Sequence, residues 1–304
     1  MHVLVTGGTG FVGRHLCRVL ADRGHDVTAL ARRPDDVGLP SSVATAGGDV
    51  TNPRSLEAPM AGMDAVVHLV ALSPLYKPPG GAKQHELVTV EGTRNVVRAA
   101  EAADVGRFVH QGGLGTDPTS PMAYLRAKGR AERLVRRSSL DWVVVRPSII
   151  FGEGGEFVRF VERLTTPYVT ALPGGGRTMA FQPIWVEEFA PILADCVDGE
   201  GRAGEVYEIG GPERLTLADV TKAVYRARGQ PVTIVPVPVP VAALGLTLAD
   251  PLPFVPLGRD QARAFRYENV TDENDLDAFG LDPADLTTLD DYLRRRRQVG
   301  RAGG

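Results

Sequence analysis

A tyrosine and a lysine four residues apart are the side chains in this sequence best placed to act together. Tyr124 and Lys128 stand at i and i+4, so both lie on one face if the segment is a helix. A nearby ammonium favours an ionised phenol, which can exchange a proton with a carbonyl or alcohol oxygen. The chain holds 30 arginines and only 4 lysines, so Lys128 indicates a need for a compact ammonium rather than for any cation. The alternative is an ordinary exposed pair on a helix.

Eight residues near the start of the chain have the spacing of a loop that binds a dinucleotide. Residues 6–13 (TGGTGFVG) match both G-x-G-x-x-G and T-G-x-x-G-x-x-G, and they lie between a predicted apolar strand and an amphipathic helix. Glycine permits a sharp turn and close approach of a pyrophosphate, and the helix N-terminus offers free N–H groups. The alternative is a plain tight turn. The expected cofactor contacts in this turn are Gly7, Thr9, Gly10, Phe11 and Val12.

The residues after the second predicted strand indicate which dinucleotide is bound. Proteins that bind NAD usually carry an acidic residue here for the ribose 2′-hydroxyl, whereas this chain has Arg32 and Arg33. Arginine binds phosphate through a planar fork of donors, which suits the 2′-phosphate of NADP(H). Asp26 lies too early in the strand to bind the ribose. We therefore predict NADP(H) rather than NAD(H), with solvated loop charge as the alternative for the two arginines.

Composition restricts the partners and the remaining chemistry. A formal net charge of -3 gives no basic surface of the kind that nucleic-acid binding needs, so the expected partner is a small molecule. Cys17 and Cys196 form no C-x-x-C pair, which predicts two buried thiols and no metal site. The first strand is expected to begin at His2, with no signal peptide ahead of it, which predicts a cytoplasmic protein. Nothing in the sequence predicts an oligomeric state.

Strand and helix patterns alternate over the first half of the chain, which predicts an α/β fold with a parallel sheet covered by helices on both faces. Strands are predicted near 2–6, 26–30, 43–47, 64–70, 107–111 and 141–146. Helices are predicted over 11–23, 52–60, 83–103 and 121–137, the last one capped by Ser120. We expect a dinucleotide-binding domain over 1–150, to which parts of 178–210 return, and mainly a substrate lobe with C-terminal helices over 151–304.

One segment, 236–257 (PVPVPVAALGLTLADPLPFVPL), is strongly apolar. Its prolines and Asp250 are incompatible with a continuous helix across a membrane. Three interpretations stay open: the segment lines a hydrophobic pocket, it contacts a membrane surface peripherally, or it packs as an arm over the C-terminal lobe.

Further motifs accompany the glycine turn and the tyrosine–lysine pair: Gly48-Asp49-Val50, His68-Leu69-Val70-Ala71, Gly92-Thr93-Arg94-Asn95 and Arg146-Pro147-Ser148. Together they resemble the extended and atypical short-chain dehydrogenase/reductases. Residues 181–186 (FQPIWV), 207–213 (YEIGGPE) and 216–217 (TL) are similar, more narrowly, to the branch that contains the NADPH-binding accessory subunit of respiratory complex I. The resemblance implies a Rossmann-like, doubly wound parallel sheet with a small C-terminal substrate lobe.

The same resemblance implies further cofactor contacts. The adenine, the centre and the nicotinamide side of the cofactor are expected at Asp49 and Val50, at Val70 and Ala71, and at Pro147 and Ile149. The ammonium of Lys128 is expected to hold the nicotinamide ribose. As alternatives, Val70 and Ile149 are core residues of the sheet, and Asp49 caps the helix that begins near Asn52.

Two positions depart from the pattern of the family. Active members usually carry a Ser or Thr after the fifth strand to hold the substrate oxygen, and in 110–115 (HQGGLG) the expected hydroxyl falls on Gly112. Thr116 is a substitute if the loop bends inward. The Asn that is usual in the helix after the fourth strand is Thr89 here. His110 is predicted to be structural, because alternation along its strand points it away from the site.

Two hypotheses about function follow. The intact Tyr124–Lys128 pair predicts an NADP(H)-dependent oxidoreductase or epimerase that acts on a small substrate. The apolar segment 236–257 favours a hydrophobic or quinone-like substrate over a sugar nucleotide. The departures at Gly112 and Thr89 favour the alternative, a catalytically weak or inactive protein that holds NADPH for a structural or regulatory purpose.

Overall fold

The computed structural model describes residues 1–34, 38–250 and 257–302. Contacts along the chain define two units. Unit 1 consists of Met1–Ser73, Pro78–Arg146 and Val186–Glu208. Unit 2 consists of Pro74–Lys77, Pro147–Trp185 and Ile209–Gly304.

Strands and helices alternate through the first half of the chain, as predicted. The strands are β1 (His2–Thr6), β2 (Asp26–Ala31), β3 (Ala44–Gly47), β4 (Ala65–His68), β5 (Arg107–Gln111), β6 (Asp141–Pro147), β7 (Ile150–Phe151), β8 (Tyr168–Pro173), β9 (Ala180–Phe181), β10 (Ile184–Trp185), β11 (Val206–Ile209), β12 (Leu215–Thr216), β13 (Val232–Val237) and β14 (Glu268–Asn269). The α-helices are α1 (Phe11–Asp22), α2 (Arg54–Met60), α3 (Lys83–His85), α4 (Gly92–Ala102), α5 (Ala123–Val135), α6 (Phe157–Leu164), α7 (Val186–Asp198), α8 (Leu217–Arg228), α9 (Val239–Ala249), α10 (Arg259–Arg263) and α11 (Leu289–Ala302).

Unit 1 is built on a seven-stranded sheet with the order β11-β6-β5-β4-β1-β2-β3. All pairs from β3 through to β6 are parallel. β2 and β3 lie on one side of β1, and β4, β5 and β6 follow on the other side, so the strand order reverses between β1 and β4. A sheet of this kind binds ligands beyond the carboxyl ends of its strands at that point. The predicted Rossmann-like, doubly wound fold is confirmed.

Alternate residues of the central strands are buried on opposite faces of the sheet, as the period-2 pattern requires. Leu4, Val66 and Phe108 belong to one core, against which α2 and α4 pack. Val5 and Val67 are equally buried and have the opposite parity, and α1 and α7 pack together in the same unit. The apolar faces of the helices and the runs of β-branched residues in the strands therefore determine the layered architecture.

The start of α5 differs from the prediction. The helix begins at Ala123, and Ser120 does not cap it. Instead, Ser120 Oγ accepts a hydrogen bond from Met122 N at 3.2 Å, and Ser120 O accepts one from the Arg126 guanidinium at 2.7 Å. Ser120 stabilises the turn that leads into α5, because a serine hydroxyl satisfies a nearby backbone N–H as readily before a helix as at its cap.

The helical segment 83–102 contains a turn that the sequence did not indicate. Between α3 and α4, Glu86–Glu91 form a π-helix, and the segment is otherwise α-helical as expected. A π-helical turn inserts an extra residue into the ladder of hydrogen bonds and is frequent at functional sites. Here it contains Thr89, one of the two positions that depart from the family pattern.

Unit 2 consists of small sheets and helices around a second core. β7 pairs with β10, β9 lies between β12 and β14, and β8 pairs in parallel with β13. α8 begins with a capping box between Thr216 and Asp219 and ends at Gly229 in the left-handed region. The core is formed by α6, α8 and α11 together with residues such as Phe157, Leu172 and Phe181.

The apolar segment predicted at 236–257 forms the end of β13 and then α9, while residues 251–256 lie outside the described residues. No residue of α9 is buried, and Val241, Leu244 and Leu248 are 61%, 60% and 71% exposed. Other residues of α9 are half-buried and the helix packs against α10, so the three interpretations of this segment stay predictions. Over 1–34, 38–250 and 257–302, no helix is both long and apolar enough to cross a membrane.

Candidate cofactor and substrate site

The glycine turn after β1 has a shape that only glycines permit. Gly7 has a φ of +77°, in the left-handed region, and its N–H donates to Leu30 O at 3.0 Å. A Cβ on Gly8 would lie 2.7 Å from Ala29 Cβ, and one on Gly13 would lie 2.6 Å from Gly8 Cα. The three glycines therefore bring the turn against β2 and bring α1 against the turn.

The N-terminus of α1 is available to an anion. Gly10 caps the helix without any side-chain hydrogen bond, and the first turn contains no acidic residue. Gly10 is exposed, and Thr9, Phe11 and Val12 are half-buried. Free N–H groups and the positive end of the helix dipole are what a pyrophosphate needs, so the residues present fit a dinucleotide.

Three further expected contacts, Val50, Val70 and Ala71, differ in the accessibility of their side chains. Val70 follows β4 and is half-buried, and its Cγ2 lies 3.2 Å from where a Cβ on Gly7 would be. Val50 is buried in the core, where its Cγ2 would lie 2.8 Å from a Cβ on Gly92. Only the backbone of Val50 is left for a ligand. Ala71 is half-buried in the loop after β4.

Arg32 and Arg33 directly follow β2, and both side chains are exposed. The charge of Arg32 acts on Asp49, which follows β3. The pKa of Asp49 lies below its usual value, mainly because its carboxylate accepts the backbone N–H of Thr51 at 2.9 Å; the hydroxyl of Thr51 and Arg32 add to this, and burial opposes it. Asp49 closes this turn and does not cap α2, which begins at Arg54.

Tyr124 and Lys128 both lie on α5, at the carboxyl end of β5. The Lys128 ammonium is only 2% exposed and donates to Gln111 O, the last residue of β5, at 2.6 Å. Burial lowers the pKa of Lys128 to about 8, and the negative charge of Glu132 one turn along partly opposes this. Lys128 still carries its proton at neutral pH, so it places a positive charge on the face of α5 that also presents Tyr124.

The position expected for the substrate-holding hydroxyl needs correction. A Cβ on Gly112 would lie 3.1 Å from Arg146 Cγ and 3.4 Å from Val144 Cγ1, away from Tyr124. A Cβ on Gly113 would instead lie 3.6 Å from Tyr124 Oη. The residue that faces the tyrosine is therefore Gly113. Gly112 is still bound to the sheet, because its N–H donates to Val145 O at 2.8 Å.

His68 is held in a buried chain of hydrogen bonds at the carboxyl ends of β1 and β4. Thr93 Oγ1 donates to Thr89 O at 2.6 Å, so it must accept from His68 Nε2 at 2.9 Å. His68 Nδ1 then accepts from the Thr6 hydroxyl at 2.6 Å. Burial, with the charge of a nearby lysine, lowers the pKa of His68 to about 3. The neutral imidazole links β1, β4 and α4 and does not act as a base.

His110 lies next to His68 on the neighbouring strand, with its ring stacked at 5.5 Å. It is 1% exposed, and neither ring nitrogen has a hydrogen-bond partner among the described residues. Burial, and then the positive charge of Lys128, hold the pKa of His110 well below its usual value. Like His68, His110 is neutral and structural.

One residue near Tyr124 was missed in the sequence. The His85 ring, on α3, packs edge to face against the Tyr124 ring with centroids 5.8 Å apart, and His85 is 3% exposed. The helix predicted over 83–103 includes this residue. The helical pattern could not show which aromatic ring lies opposite, because that depends on the π-helical turn that follows.

Two residues were expected at the nicotinamide side of the cofactor. Pro147 ends β6 and Ile149 follows two residues later, and both belong to unit 2. Their expected contact with the nicotinamide stays a prediction.

Cys17 and Cys196 are buried, as predicted, and burial raises the pKa of each thiol to about 12. Among the described residues, no cluster of His, Cys, Asp and Glu could hold a metal ion.

A family model described as NAD(P)H-binding matches residues 7–168, just over half of the chain. The chain belongs to the NAD(P)H-binding short-chain dehydrogenase/reductases. It is 30% identical over 279 residues to divinyl chlorophyllide a 8-vinyl-reductase of Oryza sativa subsp. indica, covering 86% of this chain and 67% of that protein. It is also 30% identical over 260 residues to a 3-beta-hydroxysteroid dehydrogenase of Mycolicibacterium neoaurum, covering 75% of this chain and 70% of that protein.

The fold is shared with solved structures at lower identity. The UDP-glucose 4-epimerase of Thermus thermophilus, solved with NAD, is 21% identical and superposes with a TM-score of 0.72 over 100% of each chain. A likeness at this identity shows the shared fold, and membership of the NAD(P)H-binding family rests on the family model and the two relatives. The narrower resemblance to the accessory subunit of complex I is not confirmed by these comparisons, which also give no support to contact with a membrane surface.

Proposed function

We propose that this protein is an NADP(H)-dependent oxidoreductase that acts on a small hydrophobic substrate, with Tyr124 as the proton donor or acceptor. The observation that carries the proposal is Tyr124 beside the open position of Gly113, on the same helix as the buried ammonium of Lys128. A bound NADP(H) supplies or accepts the hydride. The contacts proposed for it are the glycine turn, Arg32 and Arg33, Asp49 and Val50, Val70 and Ala71, Lys128, and Pro147 with Ile149.

Within this proposal, Tyr124 gives its proton to a substrate oxygen in the direction of reduction and takes it back in the direction of oxidation. The positive charge of Lys128 stabilises the phenolate left behind. Lys128 is itself held in place by its bond to Gln111 O, which leaves its other protons for the hydroxyls of the nicotinamide ribose.

The substrate class is proposed from the exposed apolar surface of unit 2. α9 exposes Val241, Leu244 and Leu248, and the whole helix contains no charged residue. An apolar helix without a buried face is an unusual feature in a protein with 23% charged residues, and such surfaces commonly bind ligands or partners. The named relatives include a steroid dehydrogenase, which supports a hydrophobic substrate over a sugar nucleotide.

A second candidate is a protein that holds NADPH without turnover. It is favoured by Gly113, which brings no hydroxyl to Tyr124, and by Thr89, whose buried hydroxyl has no hydrogen-bond partner among the described residues. Active members of the family usually have a hydroxyl facing this tyrosine and an Asn at the position of Thr89, and this chain has neither at those positions.

Turnover separates the two candidates. We expect the full chain to oxidise NADPH with hydrophobic ketones or quinones, and the Tyr124→Phe variant to lose about 100-fold or more in kcat, because the phenolic proton is gone. The panel includes UDP-glucose as the polar comparison. Tight NADPH binding without turnover of any compound would support the second candidate, and turnover unchanged in Tyr124→Phe would end the assignment of Tyr124.

A further inference from the structure

We propose that Thr116 supplies the hydroxyl that holds the substrate oxygen beside Tyr124. The inference rests on the proposed function, because it assigns a second residue to the same reaction. The supporting observations are the positions of two hydroxyl groups around Gly113 and the close packing of the following loop against α5.

Gly113 leaves an open position after β5. A Cβ on this residue would lie 3.6 Å from Tyr124 Oη and 4.0 Å from Thr116 Oγ1. Apart from its two chain neighbours, no other atom of the described residues lies within 4 Å of that point. Two hydroxyl oxygens therefore converge on one place that no side chain fills, and they lie on the side of β5 where Lys128 is bound.

The chain reverses after Gly113, and this is what brings Thr116 back. Gly115 adopts a φ of +68°, which favours glycine, and Thr116 N donates to Gly113 O at 3.3 Å. The Thr116 hydroxyl also donates to Gly113 O, at 2.5 Å. A threonine hydroxyl turns about its Cβ–Oγ bond, so the same proton can be donated to a substrate oxygen instead.

The loop that carries Thr116 is pressed against the helix that carries Tyr124. A Cβ on Gly129 of α5 would lie 2.6 Å from Asp117 C and 2.8 Å from Pro118 Cδ. Only glycine allows the loop to come this close. The spacing between Thr116 and the Tyr124–Lys128 face is therefore fixed by the backbone, as a site that orients a reacting oxygen requires.

The hydroxyls of Tyr124 and Thr116 have different roles in the proposed reaction. In reduction of a carbonyl group, the cofactor's hydride bonds to carbon and the proton of Tyr124 bonds to oxygen, giving an alcohol and a tyrosinate. Thr116 donates a hydrogen bond to the oxygen as negative charge develops there and transfers no proton. The missing side chain at Gly113 leaves space for a bulky group beside the reacting carbon.

The test measures NADPH oxidation by the full chain with 9,10-phenanthrenequinone and acetophenone as carbonyl probes. Thr116→Val is expected to lose ~10–100-fold in kcat/KM, since removing one such donor typically costs that much or more. Thr116→Ser is expected to stay within ~3-fold, because it keeps the hydroxyl. Thr119→Val is the matched control in the same loop, because the Thr119 hydroxyl is bonded to Asp117 and not near Gly113.

A second pair of variants tells a substrate contact from a structural role. The space at Gly113 admits a side chain, so Gly113→Ser added to Thr116→Val is expected to restore at least ~10-fold, whereas Gly113→Ala is not. NADPH affinity, followed by nucleotide fluorescence, is expected to be the same in Thr116→Val as in the unchanged protein. The unfolding midpoint is expected to fall slightly, because the hydrogen bond to Gly113 O is lost.

Each result decides something. Unchanged activity in Thr116→Val, together with a loss in Tyr124→Phe, overturns this inference and leaves the proposed function standing. A loss that serine and alanine at 113 fail equally to restore shows a structural role and also overturns it. Activity unchanged in Tyr124→Phe, or no turnover of any carbonyl probe, overturns the proposed function and this inference with it.

Discussion

Lys128 combines burial with a positive charge, and both properties matter to the site. A fully buried ammonium is costly unless it is bonded, and among the described residues Lys128 donates to Gln111 O, with the charge of Glu132 one turn away. The pKa near 8 is the consequence. The same burial that fixes the ammonium beside Tyr124 therefore weakens its hold on the proton.

Replacement of Lys128 by methionine tests this burial directly. The folded-state pKa, about 8, lies below the usual value of 10.5, so between these values the unfolded chain binds more protons than the folded one. The unfolding free energy of the unchanged protein should therefore rise relative to Lys128→Met, by up to about 3 kcal/mol, as pH increases from 8 to 10.5. Urea unfolding at several pH values measures it. Lys222→Met, which removes an exposed lysine, is the control, and equal slopes for Lys128→Met and the unchanged protein would contradict the account.

Arg32 and Arg33 carry the proposed choice of NADP(H). We expect the Arg32→Ala/Arg33→Ala variant to bind NADPH about 10–100-fold more weakly, since a charge-assisted bond to phosphate contributes about 1.5–3 kcal/mol, and to bind NADH within about threefold. Titrations followed by nucleotide fluorescence give both affinities. The exposed pair Arg18 and Arg98, also changed to alanine, matches the loss of charge. Tighter binding of NADH than of NADPH by the unchanged protein would contradict the choice.

Residue types were easier to predict than the positions that face the site. The roles of the turn glycines followed from their spacing, because a pyrophosphate loop demands them at fixed intervals. The open position beside Tyr124 was assigned to Gly112, and the structure has it at Gly113. The end of β5 was predicted at the right residue, so the error lies in the path of the chain after the strand: which of two adjacent glycines faces α5 depends on the backbone of the loop, and a pattern of side chains does not record it.

At the scale of elements, the contact between α5 and the loop before it decides the shape of the site. Gly129 lies one residue after Lys128 and permits the close approach of Asp117 and Pro118. A glycine inside a helix normally lowers stability by roughly 0.5–1 kcal/mol relative to alanine. Its presence here is explained by the backbone contact, which a side chain would prevent.

Gly129→Ala should therefore destabilise the protein, against the usual effect of alanine in a helix. We expect a loss of about 1–3 kcal/mol in the free energy of unfolding, because the loop must move to admit the new methyl group. Gly245→Ala on α9 is the control: no atom of the described residues lies within 4 Å of its Cβ position, and a gain of about 0.5–1 kcal/mol is expected. Denaturant unfolding measures both. A Gly129→Ala variant as stable as the unchanged protein would show that the loop is not held there.

The elements themselves were largely predictable, and their irregularities were not. Strands β1 to β6 and helices α1, α2 and α5 lie within two residues of their expected bounds, because their apolar residues keep one period throughout. The π-helical turn at Glu86–Glu91 could not be recognised from the spacing of the apolar residues. The turn directly follows His85, whose ring packs against Tyr124, and it arises from a local change in backbone hydrogen bonding that a pattern of side chains does not record.

At the scale of the whole molecule, unit 1 contains the glycine turn, the two arginines and the tyrosine–lysine pair, all following the carboxyl ends of neighbouring strands or lying on α5. Because the strands are parallel and adjacent, residues distant in sequence meet along one edge of the sheet. The alternating pattern predicted the parallel sheet, and the resemblance to a family implied its doubly wound form. Unit 2 was only coarsely predictable, since its strands of two to six residues give too short a pattern to read.

The central claim is that the protein transfers a hydride while Tyr124 handles the proton, and isotope transfer tests it most directly. The full chain is incubated with NADPH that carries deuterium at one face of nicotinamide C4 and with a hydrophobic ketone, and the alcohol is analysed by mass spectrometry. We predict one deuterium per alcohol from one of the two labelled faces and none from the other, with alcohol formation reduced about 100-fold or more in Tyr124→Phe. No labelled alcohol from either form of the cofactor, or equal yields from the unchanged protein and Tyr124→Phe, would contradict the account.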